Sequence, residues 1–427
     1  MRLLLLALAS LLVWCQLGWF AVGATLPNQE KIPAPRLDKI SPKVMIVSMF
    51  TPEASVWLKG MSSTGLGDLL ANNISTPGLS MLFPSIHCTA DYSICQVTTG
   101  EAEINAAATM TAMLLSPQFD FTTTYFLLGG IAGVSPKQAT LGSVALAKYA
   151  VQVALQYEFD AREMPDNFTT GYFPYGASLP NQYPSIIYGT EVFELNEALR
   201  DMAYTLAAGA TLADNADAMN YRARYKAAAR FSAASSKPTV VKCDTATSDV
   251  YYSGRLLSEA FENITSVWTN GTGVYCMTAQ EDNAILEVMV RMALARLVDF
   301  TRVMVMRTGA DFDRPPPDVS AHDHLLVLQQ NGFRIATQNI FNAGVEIVRG
   351  IIDKWDCTFE KGIKPTNYVG DIFGSFGGKP DFGPGKLVVE GSSEAGGRTG
   401  DDLGPDAWPG KLRKRDACAP PTMQSRG

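Results

Sequence analysis

Three acidic residues stand close to the ends of predicted strands, where side chains from different elements can meet. Glu53 follows the first predicted strand, Glu281 begins a predicted helix, and Asp311 comes four residues after another predicted strand. Ligands in open α/β sheets bind beyond the carboxyl ends of the strands. A carboxylate in that position can accept strong hydrogen bonds from hydroxyl groups, and a protonated carboxyl can act as a general acid.

Each of these residues also has a purely structural interpretation. Glu281 and Glu53 would both interact favourably with a helix dipole, Glu53 in the first turn of a helix that Pro52 starts. Asp311 would suit an Asx turn, and Asp313 is a neighbouring rival for its role. The spacing alone leaves both interpretations open.

Histidine chemistry has little support in this sequence. His322 and His324 form an H-x-H pattern after a run of prolines, but a metal site needs more ligands than the sequence clearly offers. His87 is the remaining histidine, so no Ser–His–Asp triad is evident. We therefore expect neither a metal nor a cofactor.

Periodic apolar segments predict the elements that position the acidic residues. Strands are predicted at 43–49, 93–99, 125–128, 141–155, 240–252 and 301–307. Helices are predicted at 101–115, 191–208, 213–231, 281–297 and 334–355. This alternation predicts an α/β fold with a mixed central β-sheet flanked by helices on both faces. Segment 160–187, rich in Pro, Gly, Tyr and Asn, is predicted to be a long surface loop.

Length, charge and the amino terminus limit the class of protein. The 427 residues suffice for one large α/β domain or two small ones, and a net charge of −7 without a basic stripe argues against nucleic-acid binding. Arg2, the apolar run 3–12 and the small residues 22–24 predict a signal peptide at 1–24 and a secreted or cell-surface protein. An uncleaved membrane anchor is the alternative, because the apolar stretch continues to about the length that a bilayer requires.

The rest of the chain is predicted to contain a linker at 25–42, one domain at 43–385 and a disordered tail at 386–427. The linker is Pro-rich and polar, and the tail lacks apolar periodicity. No segment after the leader resembles a membrane span, and the backbone of a lone globular domain cannot line a pore in lipid. A transport role would therefore work through binding or through a partner.

The cysteines and the glycosylation sequons fit an exported protein. Six of the seven cysteines remain after loss of Cys15, and an even number behind a signal peptide favours disulfides over metal binding. A local bridge is predicted for Cys88 with Cys95 and a longer one for Cys243 with Cys276, with buried thiols as the alternative. Cys357 and Cys418 are left over. Sequons predict N-glycosylation at Asn73, Asn167, Asn263 and Asn270.

Three stretches of the chain resemble known proteins. Segment 97–148, with VTTGEAEINAAA and LLGGIAGVS, resembles the strand–glycine–helix–strand segment of the nucleoside phosphorylase and nucleosidase superfamily. Segment 280–311, with QEDNAILEV and VMVMRTGAD, is similar to the nucleoside-binding glutamate helix and base-binding aspartate strand of that superfamily. Segment 344–385, which contains WDCTFEKGIKPTNYVGDIFGSFGG, resembles the purine nucleoside permease family of fungi and some bacteria, as do CDTATSD and YCMTAQED. The resemblance covers about 43–385 and implies a nucleoside phosphorylase-like fold.

The resemblance also implies a role for each acidic residue. Glu281 would accept hydrogen bonds from the 2′- and 3′-hydroxyls of ribose. Asp311 would hydrogen-bond the purine N7 and could protonate a leaving base. Glu53 lies near the position of the glutamate that holds the attacking water in nucleosidases.

Four further residues take their predicted roles from the same resemblance. Tyr251 would stack on the base or pack near ribose, although a core aromatic is an equally good interpretation. Thr99 and Gly100 would contact ribose or the nucleophile. Gly130 would permit a close approach of the backbone, or simply tight packing between a strand and a helix.

These features favour binding over cleavage. Phosphorylases of the superfamily hold phosphate with arginines near the first strand, the glycine loop or the Gly-Gly strand end, yet 48–55, 98–104 and 127–133 contain no Arg or Lys. We therefore expect a purine nucleoside as the partner, bound for uptake. An extracellular purine nucleosidase is the alternative, ahead of a phosphorylase and of a cell-surface scaffold without a pocket. Association with a membrane and assembly into homo-oligomers, which are common in the superfamily, are left open.

Overall fold

The computed structural model describes residues 39–380, 382 and 388–389. Its strands are β1 (Val44–Ser48), β2 (Asn72–Ser75), β3 (Ser85–Cys88), β4 (Ile94–Thr98), β5 (Tyr125–Val134), β6 (Val144–Leu146), β7 (Tyr149–Gln152), β8 (Tyr157–Glu158), β9 (Tyr172–Phe173), β10 (Ile186–Ile187), β11 (Val192–Glu194), β12 (Val240–Lys242), β13 (Asp244–Thr247), β14 (Tyr275–Ala279), β15 (Val303–Phe312), β16 (Gly370–Asp371) and β17 (Val388–Val389). Its helices are α1 (Thr51–Gly60), α2 (Ala102–Leu114), α3 (Glu197–Ala207), α4 (Ala216–Arg222), α5 (Arg255–Trp268), α6 (Asp282–Leu294), α7 (Ala321–Leu326) and α8 (Phe333–Asp353).

Most of the strands form one mixed sheet of 13 strands. Its main path runs β16-β11-β7-β13-β14-β5-β1-β4-β3-β2, while β15 joins β5 to β6, and β6 pairs with β12. Strand β5 is parallel to β1 and β15 but antiparallel to β14. The strand direction therefore reverses between β5 and β14, at the centre of the molecule.

Helices cover both faces of this sheet. The continuous apolar sequence of β1 is typical of a strand that is buried on both sides, and alternate β1 residues face two different cores. Met45 and Val47 belong to the core that α2 and α6 cover. Val44 and Ile46 belong to the core that α1, α3 and α8 cover. The predicted α/β fold, with a mixed sheet flanked by helices on both faces, is confirmed.

Two strands at the centre are longer than predicted. Strand β5 continues through Gly129 and Gly130, which pair with Met306 and Arg307 of β15, so the prediction that the strand ends at the two glycines is wrong. Asp311 lies inside β15, where the prediction placed it beyond the strand end. The reason in both cases is mutual pairing, because each long strand supplies backbone partners for the other along its whole length.

Other differences lie at the periphery. The predicted helix 191–208 is a strand (β11) followed by α3, and the predicted helix 213–231 is helical only in α4, with 3-10 turns after it. Helix α5 and strand β14 were not predicted. Segment 160–187 is mainly loop as predicted, with the short strands β9 and β10.

Both predicted disulfides are present. Cys88–Cys95 connects β3 with β4, and Cys243–Cys276 connects the junction of β12 and β13 with β14. The predicted signal peptide, nearly all of the predicted linker, Cys418 and all of the predicted tail except residues 388–389 lie outside the described residues. Among those that are described, no helix has the length and apolarity that crossing a membrane requires.

Candidate functional site

A cavity of about 480 Å³ lies where the strand direction reverses. Small-molecule sites typically occupy roughly 300–1,000 Å³. Its wall includes residues from the turn after β1, the second half of β5, the loop after β13 and the end of β14. Thr278 of β14 pairs antiparallel with Gly133, so the residues after Thr278 run back alongside Ile131. The parallel strand β15 completes this part of the wall.

The structure brings four of the predicted site residues together on this wall and leaves three outside it. Glu53, Tyr251, Glu281 and Asp311 line the cavity. The cavity wall does not include the other three, which are Thr99, Gly100 and Gly130.

Thr99 and Gly100 immediately precede Glu101, a residue of the cavity wall. Thr99 is fully buried, and its hydroxyl donates to the Gly100 carbonyl at 2.8 Å. Gly100 has a φ of +86° and leads directly into Glu101, which lines the cavity. Their contact with a nucleoside stays a prediction.

Glu281 connects the beginnings of two helices. It occupies the position before α6, and its Oε1 accepts from the Ala102 backbone N–H of α2 at 3.0 Å. Its Oε2 accepts from Arg307 at 3.0 Å. Because a carboxylate has about four acceptor positions, these two bonds leave Glu281 capacity for ligand hydroxyls.

Arg307 lines the cavity but was not identified from the sequence. It is buried in the middle of β15, and its Nε donates to Asp282 at 3.1 Å and its Nη1 to the Ile131 carbonyl at 3.2 Å. Two carboxylates, Glu281 and Asp282, therefore neutralise one guanidinium. The sequence did contain a signal for Arg307, because it follows the apolar run VMVM of a buried strand. A buried charge is normally paired, so an arginine at this position is expected to have carboxylate partners.

Glu53 lies beside this ion-paired group. Its two carboxylate oxygens accept from the backbone N–H groups of Met49 and Ile131, each at 2.7 Å. Burial raises the pKa of Glu53 to about 8, while Arg307 and the two backbone donors oppose that rise. Glu53 is thus held in place at the cavity wall, and its pKa of about 8 lies close to neutral pH.

Gly130 is the position where Glu53 and Arg307 approach the backbone of β5. A Cβ atom at Gly130 would lie 2.5 Å from Nη1 of Arg307 and 2.8 Å from Oε1 of Glu53. A side chain here would displace both groups, so glycine permits the close approach.

Asp311 and Tyr251 form another part of the wall. The Tyr251 hydroxyl donates to Oδ2 of Asp311 at 2.6 Å. Burial raises the pKa of Asp311 to about 6, against the lowering effect of this hydrogen bond. The rival Asp313 is not part of the wall, because it is buried in an ion pair with Arg314 and accepts from Tyr275 at 2.8 Å.

His324 also lines the cavity, which the sequence analysis did not predict. Its Nε2 donates to the Phe312 carbonyl at 2.8 Å, and Tyr221 bonds its Nδ1. Burial lowers the pKa of His324, so the ring is neutral near neutral pH. His322 is exposed beside Asp323. Residues 39–380, 382 and 388–389 contain no group of three or more side chains suited to holding a metal ion.

The chain is similar to several known proteins. The purine nucleoside permease (NUP) family matches residues 41–364. A purine nucleoside permease of Candida albicans is 48% identical over 347 residues, which are 80% of this chain and 83% of the relative. A probable purine nucleoside permease of Schizosaccharomyces pombe is 42% identical over 322 residues, which are 74% of this chain and 90% of the relative.

Two solved structures from Helicobacter pylori are more distant. A 5′-methylthioadenosine/S-adenosylhomocysteine nucleosidase is 14% identical, with a TM-score of 0.43 over 74% of this chain and 100% of that chain. A futalosine hydrolase is 14% identical, with a TM-score of 0.44 over 72% of this chain and 98% of that chain.

Proposed function

The chain belongs to the purine nucleoside permease family, and from this premise we propose that its cavity binds purine nucleosides for uptake. One observation carries the proposal. Glu281 and Asp311, which come from a helix start and a neighbouring strand, line the same cavity of about 480 Å³. The two carboxyl groups can therefore contact the same nucleoside-sized ligand.

Each carboxyl group suits a different part of the ligand. Glu281, ion-paired with Arg307, offers acceptors to the ribose hydroxyls, and hydrogen bonds to a charged acceptor are stronger than neutral ones. Asp311 offers a proton or an acceptor to the purine edge. Tyr251 is partly exposed at the wall, where its ring can cover the base.

The proposal predicts that Glu281→Gln weakens purine nucleoside binding by about 1.5–3 kcal/mol, because hydrogen bonds to charged groups contribute that much. Isothermal titration of the purified protein with guanosine or adenosine measures the change. The matched control is Glu287→Gln on the same helix, since Glu287 pairs with Arg291 away from the cavity. Equal nucleoside affinity in the wild type and in Glu281→Gln would contradict the proposed hydrogen bonds between Glu281 and the ribose hydroxyls.

Hydrolysis of the N-glycosidic bond is the second candidate, because Glu53 lies on the same wall as Asp311. In that reaction the oxygen of a water molecule bonds to C1′ of ribose as the bond from C1′ to the base breaks. An ionised Glu53 would accept the proton of the water, and a protonated Asp311 would protonate the leaving base. Because burial raises the pKa of Glu53 to about 8 and that of Asp311 to about 6, this pair of protonation states is the minor one at neutral pH. Chromatography after incubation with inosine distinguishes the two candidates, since a binder returns the nucleoside intact and a hydrolase releases base and ribose.

Export and N-glycosylation of the protein are consistent with this proposed function. The predicted leader supports secretion or display at the cell surface, and the two disulfides suit an oxidising compartment. Asn73, Asn167 and Asn270 are exposed, as glycan acceptors must be. Asn263 is half-buried and donates to Asn181 at 2.9 Å, so it is the least suited of the four. A loss of mass on treatment with an N-glycosidase would test the modification.

A further inference from the structure

One edge of β15 loses its strand partner before the strand reaches Asp311. The neighbouring strand β6 pairs with residues 306–308 of β15. Backbone hydrogen bonds then continue for one more residue, between Gly309 and residues 142–143. Because a buried backbone N–H or C=O group requires a partner, the edge beyond Gly309 must find its partners outside the sheet.

The strand is also irregular at this point. Its register against β5 shifts between Gly309 and Asp311, as in a β-bulge. A bulge interrupts the regular ladder and changes the direction of nearby side chains, and bulges are common next to active sites. The sheet by itself therefore fixes the direction of the Asp311 side chain less firmly than it would in a regular strand.

Two side chains bind the backbone of the residue that follows Asp311. Nε2 of His324 donates to the Phe312 carbonyl at 2.8 Å, and Oε1 of Gln330 accepts from the Phe312 N–H at 2.7 Å. Phe312 is fully buried, so these bonds satisfy backbone groups that water does not reach. His324 and Gln330 thus take the place of a strand partner on this edge.

The surroundings of the His324 ring direct its proton towards Phe312. A carbonyl can only accept, so Nε2 of the neutral ring carries the proton, and Nδ1 accepts from the hydroxyl of Tyr221 in α4. The amide nitrogen of Gln330 lies farther from Nε2, at 3.3 Å. The buried imidazole is therefore held from both sides.

We propose that His324 and Gln330 are positioning residues, which keep Asp311 directed into the cavity by binding the backbone of Phe312. They act through Phe312 and do not need to touch the ligand. The inference rests on the proposed function for the role of Asp311 towards a purine. The two hydrogen bonds to Phe312 can be tested whether or not a nucleoside binds.

The first test concerns the bond from the Phe312 N–H. Gln330→Met removes the acceptor and preserves the length of the side chain. Hydrogen–deuterium exchange of the full protein, with peptides that resolve Phe312, is expected to show its amide exchanging at least about tenfold faster in this variant. Gln330→Glu retains an oxygen acceptor and should restore slow exchange. Gln338→Met on α8 is the matched control, since Gln338 is exposed and does not line the cavity.

The second test concerns the position of Asp311. Its titration is followed by NMR in the ligand-free protein, with aspartate labelled with carbon-13 in the carboxyl group. Burial is the largest cause of the raised pKa of Asp311, so looser packing that admits water should lower this pKa in Gln330→Met and in His324→Ala. His324→Gln can still donate to the carbonyl from its amide, so its Asp311 titration should resemble that of the wild type.

Nucleoside affinity provides the functional measurement. Isothermal titration with adenosine is expected to show an affinity at least about fivefold lower in Gln330→Met and His324→Ala, the size expected when a hydrogen bond is lost. The affinities of Gln330→Glu and His324→Gln should remain close to that of the wild type. His87→Ala is the control for the histidine, because His87 bonds Asn73 on β2 and does not line the cavity. Gln330→Met decides the question even if His324→Ala does not fold.

The outcomes separate this inference from the proposed function. Unchanged exchange at Phe312 in Gln330→Met would overturn the inference without reference to any ligand. Faster exchange with an unchanged titration of Asp311 would also overturn it, because the two bonds would then be structural only. Failure of every nucleoside to bind the wild type would instead contradict the proposed function, and the two ligand-free measurements would still decide whether Asp311 is held in this way.

Discussion

Asp311 experiences opposing effects on its pKa. Its burial and the nearby Asp313 favour the neutral carboxyl, while the hydrogen bond from Tyr251 favours the carboxylate, and the balance raises its pKa to about 6. The neutral form can donate to a purine N7, which has a lone pair and no proton, whereas the ionised form cannot. Binding at this end of the cavity is therefore expected to depend on pH.

Purine nucleoside affinity is expected to fall as pH rises through about 6, because the protonated fraction of Asp311 falls over that range. Loss of this one buried hydrogen bond is expected to weaken the free energy of nucleoside binding by about 1–3 kcal/mol. In Asp311→Asn the amide donates a hydrogen bond at every pH, so the break in the pH profile, which is the fall in nucleoside affinity near pH 6, should disappear. Titration calorimetry across the pH range measures both profiles.

Tyr251→Phe provides the complementary change. It removes the hydrogen bond that stabilises the ionised carboxylate, so the pKa of Asp311 should rise and the break should move to higher pH. Tyr188→Phe, a partly exposed tyrosine outside the cavity wall, serves as the control. A break that stays in place in Tyr251→Phe would show that Asp311 is not the titrating group.

Gly130 should not tolerate a side chain. Gly130→Ala places a Cβ against Arg307 and Glu53, and overpacking of this kind costs about 1–3 kcal/mol in the free energy of unfolding. Denaturant unfolding measures the loss, and nucleoside affinity should fall with it. Gly209→Ala is the matched control, because no atom lies within 4 Å of a Cβ built there. Equal stabilities of the two variants would contradict the close packing at Gly130.

At the scale of elements, β13 and β14 carry two parts of the cavity wall. The loop after β13 contains Tyr251, and the end of β14 leads into Glu281. The Cys243–Cys276 disulfide joins the start of β13 to β14, and it closes a longer stretch of chain than Cys88–Cys95 does, 33 residues against 7. The longer bridge therefore restricts the unfolded chain more.

Replacing both cysteines of Cys243–Cys276 by alanine is expected to lower the free energy of unfolding by roughly 3–4 kcal/mol, on the basis of loop-closure entropy. The corresponding change at Cys88–Cys95 should have a smaller effect, since its loop is shorter. Both pairs are buried, so the loss of packing is comparable. Denaturant unfolding measures the free energy of unfolding of the two double variants. A larger loss for the Cys88–Cys95 variant than for the Cys243–Cys276 variant would contradict this explanation.

At the scale of the whole molecule, the cavity exists only in the folded chain. Its wall runs from Met49 to Phe333 in sequence and combines strands, helix starts and loops. A nucleoside can therefore bind the native state but not the unfolded chain. Binding must then stabilise the fold by mass action.

Adenosine at a hundred times its dissociation constant is expected to stabilise the native protein by about 2.7 kcal/mol. A thermal-unfolding scan should show this as a rise in Tm of several degrees. The same adenosine concentration should produce a smaller rise in Glu281→Gln and an unchanged rise in Glu287→Gln. A wild-type Tm that does not respond to any purine nucleoside would contradict binding in this cavity.

The sequence by itself determined the fold class and identified four of the residues that line the candidate site. Continuous apolar strands such as β1 indicate burial on both faces, and the cysteine number and order predicted both bridges. Glu53 follows the first strand and Glu281 begins a helix, so both were recognisable from their positions, whereas Asp311 was found through the resemblance and lies inside β15. These features are local in sequence, so pattern and motif suffice to find them.

The tertiary structure alone decided how these residues interact. No local pattern shows that Arg307 of β15 meets Glu281 and Gly130, because each contact depends on the register between strands that are far apart in sequence. The extension of β5 through its two glycines has the same origin, since its partner β15 supplies the pairing. The charge of the cavity is thus a property of the assembled sheet, where a buried cation is neutralised by carboxylates from another element.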